Sequence, residues 1–121
     1  MSTEELVLRP ATELSALLTS GELSPVELTQ AFVARAKRYD RLNAYITLDE
    51  EGALRQAQIA QAEIKRGAVR GPLHGLPVGV KDQFDVKGLR TTAGSVIVDY
   101  VADEDATAVA RLREAGAVIL G

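Results

Sequence analysis

Two short apolar runs limit what this 121-residue chain can fold into more than any other feature: Leu76–Val80 ("LPVGV") and Ala117–Leu120 ("AVIL"). The first reads as a buried strand with Pro77 at its start, where proline is tolerated. The second is an apolar run of the parallel-sheet kind. Between them lie a loop of small and hydroxylic residues, "GLRTTAGS" at 88–95, and a helix ending at Gly116. Asp105 is expected to cap that helix, with Ala106, Val109 and Ala110 facing inward. Strand, crossover, helix and strand in that order predict an α/β sheet with helices packed on it.

Upstream of Gly67 the pattern is helical. Thr12 is placed to cap a helix carrying Leu14, Leu17 and Leu18 on one face, with Gly21 stopping it. Ser24, Pro25 and Glu27 form a capping-box sequence with proline at its favoured first position. The helix that follows runs to about Tyr39, with Leu28, Phe32, Ala36 and Tyr39 on one stripe. "NAYITL", 43–48, alternates and is rich in β-formers, predicting a short strand. Asp49 can cap a further helix, whose Ala53, Ala57, Ala60 and Ile64 make a small-residue packing face. The organisation predicted is a helical region over 1–66 with one short strand, then the start of an α/β core over 67–121. Because a buried-type strand ends one residue before Gly121, neither part is expected to be an independent complete domain. The expectation is a fragment, or one piece of a split protein, with the remainder of the core missing.

Charge and composition exclude several functions. With 14 basic and 17 acidic residues the net charge is −3, against the clustered cations that phosphate contacts need. The basic groups at 35–38 and 65–66 sit at predicted helix C-termini, where they complement the helix dipole. No cysteine and a single histidine leave no disulfide or thiolate and disfavour a zinc site. No signal core opens the chain, and no run reaches the roughly 20 apolar residues of a membrane span. The prediction is a soluble, cytoplasmic chain with no membrane or direct nucleic-acid partner.

Some patterns fail on context. Gly71, Gly75 and Gly79 have membrane-helix spacing, but Pro72 and Pro77 interrupt them outside any long apolar segment. Neither the phosphate-loop pattern nor GxGxxG is present. His74, beside glycine and proline, reads as a hydrogen-bonded loop residue, with a direct active-site role as the alternative. Asp99, Asp103, Glu104 and Asp105 read as solvated charges and a cap rather than as metal ligands. Lys81 remains. An exposed strand end or an ion-pair partner is the ordinary reading. Withdrawn from water, however, its amine would be pushed toward neutrality and could take a proton from a hydroxyl.

"GPLHGLPVGVKDQFDVKGLRTTAGS" (71–95) and "DATAVARLREAGAVILG" (105–121) resemble the N-terminal part of the amidase signature family, the Ser-Ser-Lys amidohydrolases. "GELSPVELTQAFVARAKRYDRLNAYIT" (21–47) resembles the same family's opening helices. The resemblance implies a larger α/β domain, a mixed β-sheet with helices on both faces, incomplete here. It also implies that Lys81 is the catalytic base. Lys81 would hydrogen-bond a serine held in a cis peptide bond, which activates a second, nucleophilic serine. An acyl-enzyme then forms on a carboxamide and is hydrolysed. Asp82, Thr91, Thr92, Gly94 and Ser95 would line the active site or lie behind it. No metal or organic cofactor is implied. The expected partners are a small-molecule amide and the remainder of the polypeptide or a companion chain, and a homodimer is compatible. Both serines are expected beyond Gly121, so the 121 residues alone are expected to be inactive. Two rival readings are the A subunit of a tRNA-dependent Glu/Gln amidotransferase, which shares the fold, and a non-catalytic binding remnant. The apolar end at Val118–Leu120 speaks against the latter.

Overall fold

The computed structural model describes all of residues 1–121. Its elements are α1 (Thr3–Leu6), α2 (Ala11–Ser20), α3 (Pro25–Arg38), a 3₁₀ turn (Asp40–Leu42), α4 (Glu50–Lys65), β1 (Pro77–Val78), β2 (Arg90–Thr91), β3 (Tyr100–Val101), α5 (Thr107–Glu114) and β4 (Val118–Ile119). β1 and β4 pair in parallel, Pro77 opposite Val118 and Val78 opposite Ile119. The crossover predicted between the two apolar runs is therefore formed. β2 and β3 pair antiparallel as a separate ribbon.

The alternation of β4 places helices on both faces of the parallel pair. Val118 and Leu120 point to one side, where they pack with Val33 of α3 and Ala53 and Ala57 of α4. Ile119 points to the other, against Val109 of α5 and Val86. The alanine face of α4 is what lets that helix lie close to β4, since Ala53 and Ala57 are fully buried. A third cluster joins Leu6, Leu14, Leu18, Leu23, Leu28 and Leu76, tying the N-terminal helices to the entry of β1.

Several expectations need correction. Residues 43–48 form no strand. Asn43 is left-handed at φ 51°, and the segment's tie to the sheet is the Asp49 N–H donating to Leu120 C=O at 2.8 Å. Tyr45 and Leu48, three residues apart rather than two, pack half-buried against the core, and Ile46 is exposed. The strand expected over 76–80 is regular only at 77–78. The loop at 88–95 contains β2, paired with an unforeseen β3. Helix α2 starts from Pro10, whose C=O accepts the Glu13 and Leu14 N–H groups, so Thr12 is already inside it. Ser24 caps α3 through the Glu27 N–H, while the box closed from both sides is at Ser2 and Glu5. Ala106, not Asp105, stands at the N-cap position of α5 and no side chain caps the helix; the Asp105 carboxylate is engaged elsewhere, accepting the Lys87 N–H and the Arg113 Nε–H, each at 2.8 Å. Asp49 caps α4 as expected, accepting the Gly52 N–H at 3.1 Å. No helix is long and apolar enough to cross a membrane.

Candidate active site

Lys81 stands just past the C-terminal end of β1, the end of a parallel strand at which α/β folds present their reactive groups. Its backbone is held on both sides: Val80 N–H donates to Gly121 C=O at 2.9 Å, and Lys81 C=O accepts Phe84 N–H at 3.0 Å. The residue faces a cleft of about 560 Å³ whose walls are the irregular segment 43–47, the end of β1 and the Ala93–Gly94 turn. Lys81 takes part in none of the chain's salt bridges. It is exposed, so within these residues the withdrawal from water that favours a neutral amine is not met. The run before it is also less buried than expected. Leu76 is buried, Pro77, Val78 and Val80 are half-buried, and Gly79 is exposed.

Of the residues expected around Lys81, the fold brings Asp82 and Gly94 to the same cleft, with Ala93 between Gly94 and Thr92. Thr91 and Thr92 are buried behind it. Thr91 Oγ1 donates to Asp85 Oδ1 at 3.0 Å, and the Tyr100 hydroxyl donates to the same oxygen at 2.7 Å. That carboxylate pushes the Tyr100 phenol up. Thr92 donates both its N–H (3.1 Å) and its hydroxyl to Asp82 Oδ2. These bonds, the hydroxyl's above all, hold the Asp82 carboxyl below its ordinary range. Ser95 lies outside the cleft lining, and its Oγ accepts the Ile97 N–H at 3.1 Å. It is a turn residue with no base beside it.

Tyr45 is a cleft residue that sequence reasoning misses, because its alternating segment reads as a strand. Its hydroxyl lies 3.1 Å from where a Cβ on Gly79 would be, so glycine at 79 gives the ring its place beside the strand end. Burial pushes the Tyr45 phenol up.

His74 lies away from the cleft, and the hydrogen-bonded loop reading is the one the structure shows. Its Nδ1 accepts the Arg70 N–H at 3.0 Å. Its Nε2 is 2.8 Å from Glu63 Oε2, although the N–H is not aligned on that oxygen. Glu63 in turn receives two bonds from the Arg70 guanidinium, 2.6 and 3.0 Å. Arg70 also donates to the Arg113 and Glu114 carbonyls at the end of α5. The network joins α4, the glycine-rich loop and α5. No sequence signal marks Glu63, which sits on α4 as one more helix-surface residue in the pattern. Arg70, then the neighbouring His74, keep the Glu63 carboxyl below its usual value of 4.5. A depressed carboxyl contributes stability above its unfolded pKa and loses it as pH falls through the lower folded value. We therefore expect the thermal midpoint to fall between about pH 5 and pH 3, and to fall less in Glu63→Gln. Superimposable pH curves for the two proteins would contradict this.

Of the acidic residues at 99–105, Asp103 and Glu104 are exposed, while the other two are engaged structurally. Asp99 pairs with Arg90 at 2.6 and 3.0 Å, Asp105 pairs with Arg113, and no cluster of three His, Asp or Glu side chains is placed to hold a metal.

A parallel strand pair joined through a helical crossover, with helices packed on both of its faces, is an α/β arrangement, and Lys81 stands just past the end of its first strand. A family model described as Amidase matches residues 27–121, and the chain belongs to the amidase family. It is 50% identical over 111 residues to the A subunit of the Glutamyl-tRNA(Gln) amidotransferase of Geobacter sp. (strain M21), covering 90% of this chain and 23% of that protein. The native peptide amidase of Stenotrophomonas maltophilia superposes with a TM-score of 0.88 at 40% identity, covering 94% of this chain and 24% of the amidase. A fatty acid amide hydrolase gives the same TM-score at 29% identity, covering 98% and 21%. The chain thus spans less than a quarter of the length of these relatives.

Proposed function

We propose that these residues form the lysine-bearing portion of an amidase that hydrolyses a non-peptide carboxamide C–N bond, with Lys81 as the base. The observation that carries this reading is the position of Lys81: within the matched segment, just past the C-terminal end of β1, unpaired and facing the cleft of about 560 Å³. The neutral amine accepts a proton from a serine hydroxyl of the family's Ser-cisSer-Lys triad. The activated nucleophilic serine adds to the amide carbonyl, the C–N bond breaks, ammonia or an amine leaves, and water hydrolyses the acyl-enzyme. Both serines are assigned to the part of the relatives' length that this chain does not span. The amine's withdrawal from water is assigned to the same part, which covers the cleft. Asp82, Thr92 and Gly94 support the site, Thr91 and Ser95 the loop behind it, and the enzyme works in the cytoplasm on a small-molecule amide. The test is ammonia or amine release from a panel of carboxamides by the whole polypeptide that carries these residues. Turnover of at least one of them is expected, and no turnover across aliphatic, aromatic and peptide carboxamides would refute the reading.

A second reading is supported by the 50% identity to an amidotransferase component: the same chemistry supplying ammonia to a partner. In that case the whole polypeptide should co-purify in a stable stoichiometric complex, and intact-complex mass measurement decides between the two.

A further inference from the structure

Three hydrogen bonds run from one turn to one residue. Thr92 gives its N–H and its hydroxyl to Asp82 Oδ2, and Ala93 gives its N–H to Asp82 C=O at 3.0 Å. The turn they hold is an unusual one. Ala93 and Gly94 both have positive φ, 50° and 69°, and Ser95 N–H closes it on Thr92 C=O at 2.8 Å. Successive left-handed residues are the mark of a type I′ turn, and alanine occupies that region only under strain. Thr92 Oγ1 also accepts the Gly94 N–H at 3.2 Å, so one buried side chain stabilises both the strained turn and its attachment. Ala93, Gly94, Asp82 and Lys81 all line the same cleft.

We propose that Asp82 and Thr92 are a positioning pair for Lys81. They lock the strained 92–95 turn to the residue after the lysine, so that the lysine's backbone and the facing cleft wall are held as one rigid unit. The effect on rate rests on the amidase reading, but the geometry stands on this chain alone. Lys81 lies between two fixed points, the Val80 N–H on Gly121 and the Asp82 C=O on Ala93, while its amine is unpaired. A base must sit within a fraction of an ångström of its proton donor, and the usual way to achieve this is to immobilise its support. The bonds to an ionised carboxylate are the charge-assisted kind, suited to holding a strained turn.

The test compares Thr92→Val, which keeps the shape and loses the hydroxyl donor, with Thr92→Ser, which keeps the donor, in the whole polypeptide. Two readouts are taken: amide turnover, and hydrogen exchange at the Ala93 amide. Thr92→Val is expected to exchange about tenfold faster at Ala93 and to lose about 10–100-fold in kcat with KM within about threefold. Thr92→Ser should stay within about threefold of the parent in both. Equal behaviour of the two variants, or a loss confined to KM, would overturn the proposal. Should valine at 92 prevent folding, Asp82→Asn takes its place. It removes the charge assistance and should show the same two effects at about tenfold; parent-like values would overturn the proposal. Faster exchange together with turnover indifferent to Lys81 would support the clamp while removing the amidase reading. Unchanged exchange removes the clamp whatever the turnover.

Discussion

Lys81→Ala in the whole polypeptide is expected to lower kcat/KM for carboxamide hydrolysis by about 10²–10⁴-fold, the range of a positioned general base. That corresponds to about 3–5.5 kcal/mol of lost transition-state stabilisation. The fold should be unaffected, because the side chain is exposed, takes part in no ion pair, and none of the bonds anchoring the backbone at Val80, Lys81 and Asp82 uses the Lys81 side chain. An unchanged thermal midpoint with lost turnover is therefore the expected pair of results. A Lys81→Ala protein with parental kcat/KM would leave the lysine as an exposed strand end.

Gly116→Ala carries the largest expected effect on stability. Gly116 ends α5 at φ +84°, and a Cβ there would lie 2.3 Å from His74 Cδ2 and 2.9 Å from Cγ. The ring has nowhere to go: it is buried, bonded through Nδ1 to the Arg70 N–H and set against Glu63 through Nε2. Left-handed strain and overpacking together should cost about 2–4 kcal/mol of stability, read as a lowered midpoint of denaturation. Gly21→Ala separates the two causes, since Gly21 has φ +79° and nothing within 4 Å of an added Cβ. It should lose only the conformational part, about 1–2 kcal/mol. Equal losses at the two positions would mean that the His74 ring does not confine Gly116.

How legible the molecule is depends on which residues are considered. The parallel β1–β4 pair can be read because 76–80 and 117–120 are apolar runs separated by a helical crossover. The helices α3 and α4 can be read because Ser24, Pro25 and Asp49 punctuate them. The strand expected at 43–48 fails for a physical reason: Asn43 is left-handed, and the segment packs through Tyr45 and Leu48, three residues apart, instead of through every second side chain. Asp105 looks like a cap because its spacing is right, yet its carboxylate satisfies Lys87 and Arg113, partners 18 and 8 residues away. Such bonds leave no local pattern. The same holds at the site. Lys81 stands out as a charge in an apolar run, and the loop "RTTAGS" is placed near it by resemblance. That Asp82 is the residue gripping Thr92, that Tyr45 walls the cleft, and that Glu63, Arg70 and His74 form one network depend on contacts between distant segments.

The central claim is that Lys81 acts as a base, and Lys81→Arg tests it most directly. Arginine keeps a long cationic donor at position 81 but cannot give up its proton at any working pH. If the amine must be neutral to accept a serine proton, Lys81→Arg should be as inactive as Lys81→Ala across the whole pH range in carboxamide turnover. Activity within about tenfold of the parent would show that a fixed positive charge suffices, and would contradict the assignment of Lys81 as the base.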